Sequence, residues 1–277
     1  MNILIGMSKD FKDYPSCFKD EGYTLEIIEP KFINSEAKTV NPDILLSSNG
    51  SLNAIVSEVK KGHISQEEVD KYNAITGENL RNEVEDVFDL ERLTSEFIIS
   101  GTTKTEESFD HLNLEEPGLI FGGGKVKLRN RFKDEKLNQK FKDDITIPDK
   151  PPTNFYPFSP NDKDAVIVSK ISQSLMVIAA NTYGEDELEF STEDILEEAH
   201  PYWNRISGSG KKEIKSKTET IIEKLMDKGL DENMEKIKGE DTYFVNSSKA
   251  FQNKAQEVLS ELSTQETLEK FTNEEER

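Results

Sequence analysis

The chain has one cysteine, Cys17, which excludes an intramolecular disulfide, and its three histidines offer no zinc-ligand spacing. No apolar run approaches the length that spans a bilayer, and the opening MNILIG is too short for a signal peptide's core and lacks a basic leader. These absences predict a cytoplasmic protein with no membrane partner. Hydrophobic residues make up only 34% of 277, and the net charge is −20, so parts of the chain are expected to be solvated loops or tails. Lysine greatly outnumbers arginine, which argues against halophilic adaptation of this acidic surface. The acidic excess repels phosphates at long range. Screening over ~8–10 Å at physiological salt still lets a local basic patch work.

What the chain does contain is organised around residues 41–72, NPDILLSSNGSLNAIVSEVKKGHISQEEVDKY. Residues 43–47 form a mostly apolar run, 48–51 (SNGS) are turn formers, and 53–60 are β-prone, which predicts a hairpin. Along the returning strand Ala54, Val56, Glu58 and Lys60 share one face and Ile55, Ser57 and Val59 the other. A carboxylate and an ammonium ending an apolar strand are costly to bury unless paired or liganded, so a polar pocket at the sheet's edge is expected, within reach of Asp43. Two carboxylates a few Å apart raise each other's proton affinity, a penalty that a divalent cation such as Mg2+ or Mn2+ removes. A neighbouring lysine can hold a phosphate oxygen or stabilise charge that develops in phosphodiester cleavage.

Pro42-Asp43, fourteen further residues and then Glu58-Val59-Lys60 resemble the PD-(D/E)XK motif of the restriction endonuclease-like nuclease superfamily. The resemblance implies Asp43, Glu58 and Lys60 as catalytic residues, with metal held by Asp43, Glu58 and the backbone carbonyl of Val59. It also implies a role in restriction or defence against foreign DNA. A RecB-like subset of that superfamily carries Gln-hydrophobe-x-x-Tyr on the next helix; the matching register here is Glu68-Val69-Asp70-Lys71-Tyr72, with Glu for Gln. Glu68 and Tyr72 are therefore accessory candidates. Glu68 has a second reading, because Ser65-Gln66-Glu67-Glu68 is a capping box that would start a helix without any catalytic role.

Around this stretch, MNILIG reads as a strand, as do residues 23–28, where Glu26 is expected to face solvent. Leu80, Val84, Val87, Leu90 and Leu93 are close to helical spacing. Residues 96–103 then read as a buried strand, 106–112 as a short helix and 118–121 as a strand. Gly122, Gly123 and Gly124 lack a following Lys-Ser/Thr and read as a turn, not a phosphate loop. Residues 125–142 carry eight positive charges against two negative, a local net of +6. With Phe132 and Phe141 interleaved, this run predicts a nucleic-acid-contacting patch that includes Lys125, Lys127, Arg129 and Arg131. Five prolines between 143 and 162 predict an interdomain linker.

The remaining order, a helix at 165–182, a strand at 188–190, a capped helix from Ser191, a helix at 211–228 ended by Gly229 and a hairpin at 235–245, resembles winged-helix DNA-binding domains. Arg205, Lys211, Lys212, Lys215 and Lys217 mark the start of the would-be recognition helix. His200 reads as a cap or surface residue, and Trp203 and Tyr202 as core or hinge. From Phe251 a helix with Ala255, Val258, Leu259 and Leu262 is expected, followed by an acidic tail.

The expected organisation is therefore an α/β, restriction endonuclease-like mixed sheet flanked by helices (1–142), a linker (143–162), a winged helix (163–250) and a C-terminal helix and tail (251–277). The expected activity is Mg2+- or Mn2+-dependent hydrolysis of DNA, with RNA left open as a substrate. A homodimer through the C-terminal helix or a larger complex is the expected assembly. Two other readings stand beside it: a silent nuclease fold that regulates by binding DNA, and a protein-interaction subunit.

Overall fold

The computed structural model describes residues 1–48, 50–81, 94–148, 154–181, 188–237, 240–245, 249–251, 253–255 and 257. They form two compact units. Unit 1 comprises Met1–Phe155 and Arg205–Gly210, and unit 2 comprises Tyr156–Asn204 and the chain from Lys211 onward.

Unit 1 opens with helices α1 (Asn2–Met7) and α2 (Cys17–Asp20), then strands β1 (Tyr23–Ile28), β2 (Phe32–Ile33), β3 (Thr39–Val40), β4 (Ile44–Ser48) and β5 (Asn53–Lys60). Helices α3 (Gln66–Asn73) and α4 (Gly77–Arg81) follow, then β6 (Thr94–Gly101), α5 (Thr103–Leu112), β7 (Gly118–Gly122), β8 (Lys125–Arg129), α6 (Glu135–Lys140) and β9 (Ile145–Thr146). Seven strands make one mixed sheet in the order β1-β4-β5-β6-β7-β8-β9. β5 and β6 pair in parallel along their whole length, from Asn53↔Thr94 to Lys60↔Gly101, and β6 and β7 are also parallel; the other neighbours are antiparallel. The unit is thus a mixed α/β structure with a large sheet flanked by helices.

The hairpin forms where turn chemistry and alternation place it, with Ile44 opposite Ser57 and Ser48 opposite Asn53. Ala54 and Val56 join a buried cluster with Leu45, Val69, Tyr72, Leu80, Phe97, Ile99 and Phe109, which contains residues of α3, α4 and α5. Glu58 and Lys60 share that face by alternation.

Several expectations are corrected. Residues 2–7 are helical, not extended: Leu4, Ile5, Gly6 and Met7 are all buried in succession, which a one-sided strand pattern would not give. β5 is a central strand, so Glu58 and Lys60 stand at the end of an interior strand and not at a sheet edge. Glu26 is buried, because the β1–β4 register shifts between Leu25 and Ile27. Its Oε1 accepts from the hydroxyls of Ser47, at 2.6 Å, and Thr24, and its Oε2 faces Arg205 at 3.5 Å. The expected linker is ordered at both ends: Ile145 and Thr146 pair with β8, and Ile147, Phe155, Tyr156 and Phe158 are buried. Pro151 and Pro152 lie outside the described residues, as does most of the helix expected up to Leu93.

Unit 2 carries α7 (Asp164–Asn181), β10 (Leu188–Ser191), α8 (Thr192–Ala199), the start of a 3-10 turn at Trp203–Arg205, α9 (Gly208–Met226) from Lys211 on, β11 (Met234–Lys236) and β12 (Thr242–Val245). The three strands form an antiparallel sheet in the order β10-β12-β11. Ile167, Ile171, Leu175 and Ala179 of α7, Ile195 and Leu196 of α8, and Ile214, Ile221, Ile222 and Leu225 of α9 are buried. Their three- and four-residue spacings place each set on one helix face. Ser191 and Asp194 make a reciprocal capping box that starts α8. Past its C-terminal end, Gly229 takes the left-handed φ of +107° beyond α9. The chain is helical again at 249–251 and 253–255, with Phe251 and Ala255 buried; Val258, Leu259, Leu262 and the acidic tail lie outside the described residues.

Candidate active site

The candidate site forms where the C-terminal end of β5 meets the residue that precedes β4 and one face of α3. Asp43 is fixed by its backbone: its N–H donates to the Ser57 carbonyl at 3.0 Å and its carbonyl accepts from the Glu29 N–H at 2.8 Å. Its carboxylate Oδ2 accepts from the Val59 N–H at 2.6 Å, so the amide of Val59, expected to contribute its carbonyl, is tied to the site by its nitrogen.

α3 supplies the other wall. Ser65 caps it by accepting from the Glu68 N–H at 3.3 Å, and Val69 and Tyr72 bury its inner face, where Tyr72 stacks on Phe97 with centroids 4.8 Å apart. Glu68 and Tyr72, four residues apart, lie on one side of the helix. Both readings of residue 68 are therefore met in part: its backbone is capped, while its carboxylate pairs with Lys60 and does not close the capping box. Glu58 bridges the two walls, with Oε1 2.8 Å from Lys60 Nζ and Oε2 accepting from the Tyr72 hydroxyl at 2.8 Å. Side-chain exposure rises from 10% at Glu58 through 24% at Lys60 to 31% at Glu68, so the site opens toward solvent on the Lys60–Glu68 side.

The electrostatics follow from this burial. Glu58 is pushed up to about 7, first by desolvation and then by the neighbouring Asp43 carboxylate, against the pull of Lys60. Asp43 is also raised by burial, with the Val59 N–H pulling it back. Burial alone would lower Lys60, but the bonds to Glu58 and Glu68 outweigh it and hold it above the ordinary lysine value. Lys60 is thus a fixed cation and hydrogen-bond donor, not a base.

The sequence did not single out what anchors the turn after Lys60. The Thr105 hydroxyl lies 3.2 Å from the Lys60 carbonyl and 2.9 Å from that of Gly62, and Gly101, opposite Lys60, leaves the space that Thr105 fills. The cue was Gly101-Thr102-Thr103 directly after a strand.

Two hard carboxylate donors meet here, and among the described residues no group of three or more His, Cys, Asp or Glu is placed to hold a metal ion. Carboxylate oxygens are the donor type that magnesium or manganese takes.

Most of the predicted basic residues are paired with acids. Lys127 and Arg129 bond Glu106 at 2.8 and 3.2 Å, Arg129 also bonds Asp110, Arg131 faces Glu135 at 3.3 Å, and Lys125 lies 4.0 Å from Asp144. Phe132 and Phe141 are buried with Phe18, so the interleaved aromatics are core residues and not base-stacking platforms. Arg205 belongs to unit 1, apart from Lys211, Lys212, Lys215 and Lys217 of unit 2. Of these, Lys215 pairs with Asp241, Lys217 with Asp164 at 2.7 Å, and Lys211 lies over the Trp203 ring. Lys212 is exposed. Among the described residues no helix is long and apolar enough to cross a membrane.

Comparison with known proteins places this site within a family match. No curated protein and no solved structure matches the chain. Residues 159–272 match the family described as Domain of unknown function (DUF8601), while residues 1–156, which carry the whole Asp43–Glu58–Lys60 constellation, match the MJECL32 domain. With more than half of its length matched, the chain belongs to the MJECL32 domain family.

Proposed function

We infer that this protein is a metal-dependent endonuclease that hydrolyses DNA phosphodiester bonds, with a winged-helix domain in unit 2 that positions it on the duplex. The observation that carries the reading is the meeting of Asp43, Glu58 and Lys60, separated by up to sixteen residues in the chain, at one solvent-facing strand end, with Glu68 and Tyr72 bonded into the same group. The β10-β12-β11 sheet and the helix order of unit 2 support its winged-helix half.

Asp43 and Glu58 would hold Mg2+ or Mn2+, which when bound supplies Lewis-acid polarisation of the phosphate and a water of lowered pKa. Lys60, kept protonated, is placed to contact a phosphate oxygen and offset the charge that develops on it. Tyr72 orients Glu58, and Glu68 orients Lys60. Lys212 and the lysines around it would contact the backbone of DNA.

The test is cleavage of labelled single- and double-stranded DNA and RNA with magnesium, manganese or EDTA, comparing wild type with Asp43→Ala, Glu58→Ala and Lys60→Ala. Metal-dependent cutting that is lost in all three variants is expected; cutting that survives them would overturn the assignment. The ion pairing of Lys125, Lys127, Arg129 and Arg131 weakens them as nucleic-acid contacts and favours a second reading, in which the protein is an interaction subunit. Salt-sensitive DNA binding without cutting would identify a silent nuclease fold that regulates. No binding at low salt would identify a protein-interaction subunit.

A further inference from the structure

Unit 2 encloses a titratable side chain that nothing bonds. His200 caps the C-terminal end of α8: its N–H donates to the Leu196 carbonyl at 2.8 Å, and its carbonyl accepts from the Trp203 N–H at 2.9 Å. Its backbone is therefore fixed. The ring is 1% exposed, and among the described residues neither Nδ1 nor Nε2 has a hydrogen-bond partner. Three aromatic rings surround it, with centroids at 4.4 Å for Phe158, 5.5 Å for Tyr156 and 5.7 Å for Trp203. A buried polar group without a partner forfeits its hydrogen bonds to water, and an apolar side chain would fill this place without that cost.

The charged groups of the elements around it are engaged elsewhere. On α8, Glu193 accepts from the Trp203 indole N–H, Asp194 serves the capping box, and Glu197 and Glu198 are exposed. On α9, Lys211 sits over the outer partner, Trp203, at 5.2 Å from its centroid. On α7, Asp164 is held by Lys217 and Lys224, and Lys170 bonds Gln173. In the segment that precedes α7, Tyr156 presents its phenol, Asp162 accepts from the Ser159 N–H at 2.6 Å, and Lys163 is exposed. Among the described residues no carboxylate bonds the imidazole to hold a proton on it.

We propose that His200 is an acid-sensitive latch of unit 2: neutral, it completes the ring cluster and keeps the corner between α8 and Trp203 closed, and on taking up a proton it leaves the cluster and the corner opens. Protonation puts a cation in a buried cluster of rings where, among the described residues, neither ring nitrogen has a partner. Burial accordingly lowers its pKa from the ordinary 6.5 to about 4. The sign follows: the open form binds a proton near 6.5 and the closed form does not until about 4, so closure is fully favoured above 6.5 and is lost as pH falls between those values. Each pH unit in that window costs roughly a factor of ten, a total on the order of a hundredfold.

The full chain provides its own reporters. Trp203 is its single tryptophan, and His63 and His111 are the only other histidines. Two-dimensional NMR of the three imidazoles against pH should show His200 unmoved until well below 6.5, with the emission of Trp203 changing as it titrates. His200→Phe, which fills the cluster without a titratable group, should remove that acid-induced change in emission. The proposal is overturned if His200 takes up its proton at 6.5 or above, which would mean that the rings hold the imidazolium, or if His200→Phe keeps the wild-type acid transition. Should the variant fail to fold at neutral pH, the wild-type titration alone decides.

Discussion

Tyr72 donates a hydrogen bond to Glu58 across 2.8 Å while its ring stays stacked on Phe97. One side chain thus joins the apolar core under α3 to the carboxylate of the candidate site. Burial raises the phenol's pKa, so it remains a donor throughout the physiological range. Tyr72→Phe keeps the stack and removes the bond. A loss of about 1–2 kcal/mol in chemical denaturation is expected, together with a further rise in the proton affinity of Glu58. Unchanged stability and an unchanged carboxyl titration would show that the bond does not form.

Glu58 itself makes unit 1 sensitive to pH. Its value rises from the ordinary 4.5 to about 7 on folding, so the folded state keeps a proton that the unfolded chain releases. The stability this contributes is fully present below 4.5 and is lost as pH rises through about 7. Glu58→Gln should flatten that decline, read as denaturation midpoints at about pH 5 and pH 8. Parallel curves for variant and wild type would refute it.

Phe18 is fully buried, with ring centroids 5.7 Å from Phe141, 6.3 Å from Phe132 and 6.2 Å from Tyr23. Phe18→Ala should cost about 3–5 kcal/mol through the cavity it leaves. Phe132→Leu should lower stability without changing the salt dependence of any nucleic-acid binding. A loss of such binding in a variant that stays stable would restore the stacking role.

A methyl group on Gly101 would lie 2.2 Å from Thr105 Oγ1 and 2.7 Å from the Lys60 carbonyl oxygen. The latter is backbone and yields only if the end of β5 moves. Gly101→Ala should therefore destabilise unit 1 by about 1–3 kcal/mol. Gly122→Ala, whose nearest neighbour would be Thr103 Cγ2 at 3.8 Å, should be neutral or slightly stabilising. Equal effects at the two positions would contradict this packing.

The parts of the fold that local chemistry decides were readable in the sequence. Alternation and turn residues set the β4–β5 hairpin, and Ser65 and Ser191 start the helices they were expected to start. Asp43, Glu58 and Lys60 were found because strand parity and a hairpin are short-range properties. What escaped depends on distant partners. The acids that neutralise the 125–142 run include Asp20, Glu106 and Asp110, and only the folded sheet brings them near. The register shift that turns Glu26 inward has no signature in its own strand, and the burial of His200 depends on rings at residues 156 and 158 as well as 203. The opening NILIGM has two isoleucines that suit a strand by propensity, and packing against the rest of unit 1 overrides that preference.

The return of residues 205–210 to unit 1 means that neither unit is one unbroken stretch of chain, although the family matches follow one another in sequence. A fragment that stops at 156 would leave Glu26 its two hydroxyl donors but not Arg205, and would leave the Ile28 carbonyl without the Ser207 N–H. Shuffling either half into another protein, by recombination or in the laboratory, would therefore have to carry the six-residue return with the first half or rebuild its contacts there.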